Sequence, residues 1–270
     1  MHPDISQLPS NLFYQGRLQD GSGMAVKTEQ PWHSHVKFGT YRFFNIARGQ
    51  EEQSAAGHSL KNKAECLVAV SLFDRIKREF SKVDLDFRVG VVSMYRGQIQ
   101  ELQKTFEQRF GRDILNTVHF STVDGFQGQE KDIIILSCVR AGPGLQSVGF
   151  LSGELSSGSS NTSAHFTTDT RRMNVALTRA KSSLFILGHA STLERSDDNW
   201  RKIIHDARTR SCMIEVSPCY RLIEWTSANL IINRQMLRTL LPHRFQIEVH
   251  LSNDNRGLHW PSMFCQLLRI

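Results

Sequence analysis

The apolar and polar positions of this chain fall into short apolar runs separated by longer stretches of helical periodicity. Four runs read as buried strands: YRFFNIA (41–47), RVGVVSM (88–94), DIIILSCV (132–139) and SLFILG (183–188). The last three are near-continuous rather than alternating, the pattern of parallel strands covered by helices on both faces. TVHF (117–120) is a shorter candidate. Between these runs, Ala64, Val68, Leu72, Ile76 and Phe80 recur every four residues, and Asn62 with Glu65 is placed to form a capping box where that helix starts. Ile99, Leu102, Phe106 and Phe110 make a second stripe, closed by Gly111. RRMNVALTRAK (171–181) reads as a third helix. Its apolar face holds Met173, Ala176, Leu177 and Ala180; Arg172 and Arg179 share one flank, and Asn174 and Lys181 the other. Strands alternating with helices of this length predict an open α/β sheet, whose ligands sit beyond the carboxyl ends of the strands.

Two segments break the rhythm. GELSSGSSNTSAHFTT (153–168) is rich in Ser, Thr and Gly, and reads as a disordered surface insert. After Cys212, Pro242 and Pro261 punctuate the hydrophobic stretches and no strand–helix alternation continues. The expected division is one α/β domain over 1–211 and an irregular tail over 212–270.

Composition narrows the class. A chain of 270 residues with 40% hydrophobic content can build a proper core. No apolar run approaches the length needed to cross a bilayer, and MHPDISQLPS at the start lacks the apolar centre of a secretory signal. The cysteines (Cys66, Cys138, Cys212, Cys219, Cys265) are scattered without a CxxC pair, which favours reduced thiols in an intracellular protein. His33 and His35 have no companions that would complete a metal shell, so no metal site is expected. With 33 Lys+Arg against 26 Asp+Glu, net +7, the chain is compatible with a polyanionic partner without requiring one.

Three stretches carry candidate chemistry. STVDGFQGQEKDIIILSCVRA (121–141) sets a Gly-Gln-Glu turn directly before a buried strand, RRMNVALTRAKSSLFILG (171–188) sets the arginine helix before another, and MHPDISQLPSNLFYQGRLQDG opens the chain. In this order and spacing they resemble the second RecA-like domain of superfamily 1 helicases, in the branch containing senataxin and the RNA helicase of nonsense-mediated decay. FFNIARGQEEQ, SLKNKAE and VGVVSMYRGQIQEL fit the same branch. The resemblance covers roughly residues 1–212 apart from the serine-rich insert.

The resemblance implies a RecA-like, P-loop NTPase-type fold and ATP with magnesium as cofactors of a full-length enzyme. It also implies single-stranded RNA or DNA, or an RNA–DNA hybrid, as partner, no membrane, and an intracellular, nuclear location with the cytoplasm as the alternative. By similarity Arg179 is the arginine finger, a group worth on the order of 10³ to 10⁵ in rate in related NTPases. Arg172 is a second candidate for the nucleotide; the alternative for both is pairing with surface carboxylates. Glu130 resembles the glutamate that accepts from the ribose or orients the finger, and Gly128 would let the backbone approach the ligand; the alternative is a plain strand-capping turn. Ser121, Thr122 and Gln127 match the part of the motif that touches the nucleic-acid backbone or couples it to the nucleotide. Tyr95, Arg96 and Gln98 follow a strand end where a second such contact is expected, with Tyr95 as a half-buried helix-start aromatic the other reading.

Two family elements have no counterpart. No GxxxxGK[ST] phosphate loop occurs, and no strand ends in the Asp-Glu pair that holds magnesium. In the family both belong to the first RecA-like domain. The chain begins at the methionine of a motif that there reads Tyr-Arg-Met-His-Pro. The expectation is therefore half of an ATP cleft in a truncated helicase: no nucleotide or metal held by this chain alone, and activity only with the first domain present. A non-catalytic nucleic-acid-binding or interaction module, or a truncated gene product without function, is the alternative.

Overall fold

The computed structural model describes residues 1–54, 59–141 and 169–216. The serine-rich stretch 153–168 and the tail beyond 216 lie outside them. The strand elements are β1 (Tyr41–Asn45), β2 (Glu52–Gln53), β3 (Leu60–Lys61), β4 (Val89–Ser93), β5 (His119–Thr122), β6 (Lys131–Ser137), β7 (Ala180–Gly188) and β8 (Met213–Glu215). Helices are α1 (Pro3–Phe13), α2 (Met24–Lys27), α3 (Lys63–Glu79), α4 (Arg96–Phe110), α5 (Ile114–Thr117), α6 (Thr170–Leu177), α7 (Ala190–Ser196) and α8 (Asp198–Thr209).

Six strands form one parallel sheet in the order β5-β4-β6-β7-β1-β8, while β2 and β3 make a small antiparallel ladder. Ile134 and Leu136 of β6 join Leu184 and Ile186 of β7 in a core that also holds Ile5 and Leu8 of α1, Met173 and Leu177 of α6, and Trp200, Ile203 and Ile204 of α8. Strand side chains alternate between faces, so the buried Ile133, Ile135 and Phe185 belong to the other face. There Phe185 meets Phe38 and Phe44, Phe106 of α4 meets Phe120, and α3 packs across β6 and β7. Each large aliphatic side chain so buried contributes about 1.5–3 kcal/mol. The parallel sheet has helices on both faces, as the apolar runs predicted, and is consistent with the RecA-like class that the resemblance implied.

Two expectations change. The arginine helix stops at Leu177, because the Thr178 hydroxyl bonds back to the carbonyls of Asn174 and Val175 (2.8 and 3.2 Å) while Ala180 pairs with Lys131 as the first residue of β7. Ala180 is buried by the sheet, not by a helical stripe. The sheet also extends past the expected boundary at 211: Met213–Glu215 add β8 beside β1.

Candidate functional site

Strand ends define two edges of the sheet, and the candidate residues divide between them. At the amino-terminal edge, Gly128 and Glu130 precede β6, and Arg179 precedes β7. The Lys131 N–H donates to the Arg179 carbonyl at 3.1 Å, which sets the two approaches side by side. The Arg179 guanidinium is half-exposed and donates through Nε to the Val175 carbonyl (3.0 Å), through Nη1 to the Gln129 carbonyl (3.4 Å) and through Nη2 to Thr178 Oγ1 (2.9 Å). A guanidinium has five N–H groups, so among the described residues it is oriented without being saturated. Glu130 is exposed and pairs with Lys181 across 3.1 Å. Gly128 takes φ +78°, a left-handed conformation that glycine adopts without a Cβ penalty, and a Cβ there would meet open space.

These residues stand at the amino ends of β6 and β7, as their place directly before the two apolar runs implied, and not at the carboxyl ends where ligands of open α/β sheets usually sit. The eight-residue link from β5 to β6 crosses the sheet, carried by the buried Phe126, and delivers its Gly-Gln-Glu end to the amino-terminal edge.

Arg172 is not Arg179's neighbour. It lies in the first turn of α6, about 7–8 Å along the axis from the other end of the helix, and its Nε meets Asp124 at 2.8 Å. Asp169 caps the same helix end by accepting from the backbone N–H groups of Arg171 and Arg172. Because the helix ends before Arg179, the two arginines do not share a flank. The structure groups Arg172 instead with the turn after Thr122.

At the carboxyl-terminal edge, Ser121 and Thr122 close β5, both half-buried, with Gln127 exposed farther along the link. A Cβ at Gly125 would lie 2.5 Å from Ser121 Oγ, so a larger residue there would force the Ser121 hydroxyl to turn away. Arg96 is exposed at the start of α4. Tyr95 is only 4% exposed, and burial pushes its hydroxyl above the ordinary tyrosine range, partly offset by Arg140. Gln98 is fully buried: its Oε1 accepts from the Asn62 N–H (2.7 Å), and its Nε2 donates to the Asn62 carbonyl (3.1 Å) and Ser137 Oγ (2.8 Å). All its polar atoms are engaged internally, so the expected strand contact at Gln98 is corrected to an internal brace.

Sequence reasoning read Asn62 and Glu65 as a capping box, and half of that stands. Asn62 Oδ1 accepts from the Ala64 and Glu65 N–H groups, but the Glu65 carboxylate turns away toward Ser137 and Val139. Arg140, paired with Glu51 at 2.9 Å, was not singled out at all. The one available signal was a charged residue directly after the apolar run DIIILSCV. Among the described residues, no cluster of three or more His, Cys, Asp or Glu could hold a metal, and no helix is long and apolar enough to cross a membrane.

Comparison with known proteins shows the family. A family model described as an AAA domain matches residues 1–191. The chain is similar to Helicase SEN1 of Saccharomyces cerevisiae, at 46% identity over 214 residues, 79% of this chain and 9% of that protein. It is similar to the Drosophila melanogaster Regulator of nonsense transcripts 1 homolog at 32% identity, covering 80% of this chain and 17% of the relative. The Probable helicase senataxin of Mus musculus matches at 34% identity over 82% of this chain and 7% of its own length. The chain thus spans less than a fifth of these relatives. It belongs to the AAA domain family, as a helicase-type domain of the superfamily 1 branch that includes SEN1 and senataxin.

Proposed function

We propose that this chain is the second motor domain of an ATP-dependent helicase acting on RNA or an RNA–DNA hybrid. The observation that carries the reading is the division of its candidate residues between two sheet edges. Arg179, Glu130 and Gly128 converge on the amino-terminal edge, whereas Ser121, Thr122 and Arg96 stand at the carboxyl-terminal edge. Such a plate can face a nucleotide with one rim and a strand with the other.

ATP with magnesium is the cofactor this reading implies for the complete enzyme, where it supplies the phosphoryl group that is transferred. The residues present fit one side of it: a half-exposed, pre-oriented guanidinium and a nearby exposed carboxylate. They do not supply a phosphate loop or a magnesium-holding carboxylate pair. In the proposed roles, Arg179 neutralises charge developing on the transferred phosphoryl group. Glu130, now held by Lys181, would accept from ribose hydroxyls. Gly128 keeps the backbone free of a side chain, and Arg172 steadies the turn after β5 through Asp124. Ser121, Thr122, Gln127 and Arg96 supply short polar and cationic contacts to phosphate and sugar, with Tyr95 buried behind them.

The test is binding of a single-stranded oligonucleotide to the chain, read by filter retention. Contacts made to phosphate and sugar give weak, sequence-indifferent affinity that falls steeply with added salt through counterion release. Strong preference for one base sequence persisting at high salt overturns the reading in favour of a sequence-specific binding module.

A further inference from the structure

A buried polar assembly lies behind the carboxyl ends of β4 and β6, and its centre is Glu65 in the first turn of α3. Glu65 is 0% exposed. Its two carboxylate oxygens accept from the Val139 N–H at 3.0 and 2.9 Å, and it also accepts from Ser137 Oγ and from Asn62 Nδ2. Asn62 Nδ2 donates in addition to the Val139 carbonyl at 3.0 Å. Both backbone groups of Val139 are therefore held by the amino-terminal turn of α3. Gln98 ties Asn62 to Ser137, and Ser93 Oγ donates to the Ser137 carbonyl at 2.9 Å.

Val139 needs that grip. Its φ is +72°, a left-handed conformation for a β-branched residue, and the Arg140 N–H bonds to the Cys138 carbonyl at 2.8 Å to close a three-residue turn around it. Positive-φ turns of this kind are rare and strained, and persist only where the surroundings over-determine them. The turn delivers Arg140 against two partners: the Glu51 carboxylate, which also accepts from the Ala141 N–H at 3.0 Å, and the hydroxyl of Tyr95. Arg140 itself is only 7% exposed, so it acts by holding Tyr95 and Glu51 in place behind Arg96.

We propose, resting on the motor-domain reading above, that Glu65 is a positioning residue for nucleic-acid engagement: with Asn62 it clamps Val139 in the strained turn that sets Arg140 behind the carboxyl-terminal edge. A purely structural acid would leave strand binding indifferent to its protonation. A positioning acid does not, because a protonated carboxyl gives up part of its accepting capacity to its own proton. Burial pushes the Glu65 carboxyl up to about 8, against the pull of Ser137 and Val139. The titratable groups facing it are the thiols of Cys66 on α3 and Cys138 after β6, both raised well above the ordinary range by burial. The Lys61–Glu101 pair acts on Cys66 from β3 and α4.

The experiment is fluorescence anisotropy of a fluorescein-labelled oligouridine titrated with the full chain at low salt, from about pH 7 to about pH 9. Wild type, Glu65→Gln, Glu65→Gln/Val139→Gly and Arg140→Gln are compared, each checked by circular dichroism for folding. Glu65→Gln turns an amide N–H₂ toward groups that themselves donate, and is expected to weaken binding roughly tenfold at about pH 9, where the wild-type carboxyl is ionised, the scale of one lost charged hydrogen bond. It is also expected to remove an affinity rise with pH near about 8 that the wild type shows. Glycine at 139 takes positive φ freely, so the double variant recovers most of the affinity. Arg140→Gln, which leaves the buried network intact, shows the same loss and keeps the test decisive if Glu65→Gln does not fold. Folded Glu65→Gln or Arg140→Gln binding within twofold of wild type at about pH 9 overturns the positioning role while leaving the motor-domain reading in place. Absence of any salt-sensitive binding by the wild type removes that reading and the proposal with it.

Discussion

The backbone N–H of Lys131 and the carbonyl of Arg179 are joined at 3.1 Å, and this one bond brings two distant motifs to a common edge. It aligns the first residues of β6 and β7, so the residue before each strand, Glu130 and Arg179, emerges on the same rim. A ligand at that rim would meet a carboxylate and a guanidinium whose spacing is set by sheet register rather than by flexible loops.

In a complete helicase carrying this domain, Arg179→Ala is expected to lower kcat by about 10³ or more while changing nucleotide affinity much less. A finger acts on charge that develops in the transition state. Lysine should restore little, because an ammonium cannot reproduce the planar fork that now bridges the Val175 and Gln129 carbonyls. Steady-state turnover within a few-fold of wild type for Arg179→Ala removes the residue from its proposed role.

The chain by itself is expected to show no catalysed ATP hydrolysis. Its sequence contains no phosphate loop to grip the β- and γ-phosphates, and Arg179 alone cannot position an attacking water. RNA-stimulated turnover that co-purifies with the chain through successive columns contradicts this.

Gly90 and Gly128 are expected to differ in kind. A Cβ at Gly90 would stand 2.7 Å from Phe126 Cζ and 2.8 Å from Ile134 Cδ1, inside the packed core. Gly90→Ala should therefore cost about 1–3 kcal/mol by overpacking. Gly128→Ala meets no neighbour and carries only the left-handed backbone penalty, about 1–2 kcal/mol. Asparagine, which tolerates that conformation, should recover part of the loss at 128 and none at 90. Urea unfolding midpoints of the four variants check the pattern; an equal response to asparagine at both sites contradicts it.

Glu65 should make folding stability pH-dependent with a definite sign. Burial raises its folded-state value to about 8 from an ordinary 4.5, so between those limits the folded chain holds a proton that the unfolded chain has released. Stability contributed by this group is fully present below the unfolded value and is lost as pH rises toward 8, with a slope of at most ~1.4 kcal/mol per pH unit. Melting curves should show wild type losing stability relative to Glu65→Gln between about pH 5 and about pH 8. A constant difference across that range rejects an uncharged Glu65 in the folded state.

Periodicity alone determined the parallel sheet, since continuous runs such as DIIILSCV and SLFILG bury both faces and short-range pattern reports burial directly. The resemblance carried by the Gly-Gln-Glu and arginine stretches was legible as well, because their residue types and spacing are local properties of the chain. What periodicity did not determine was where helix gave way to strand after Leu177. The stripe through Ala180 satisfies a helical period, but pairing with Lys131, 49 positions away in the chain, outweighs the one further turn it would have added. Likewise Glu65 looks like a capping acid in sequence, and only the arrival of Val139 and Ser137 from another strand gives its carboxylate different partners. Local propensity is written residue by residue. The partition of Arg172 and Arg179 to separate ends of α6, and of the candidate residues between two edges, depends on sheet order and crossover path, which are set by the packing of the whole domain.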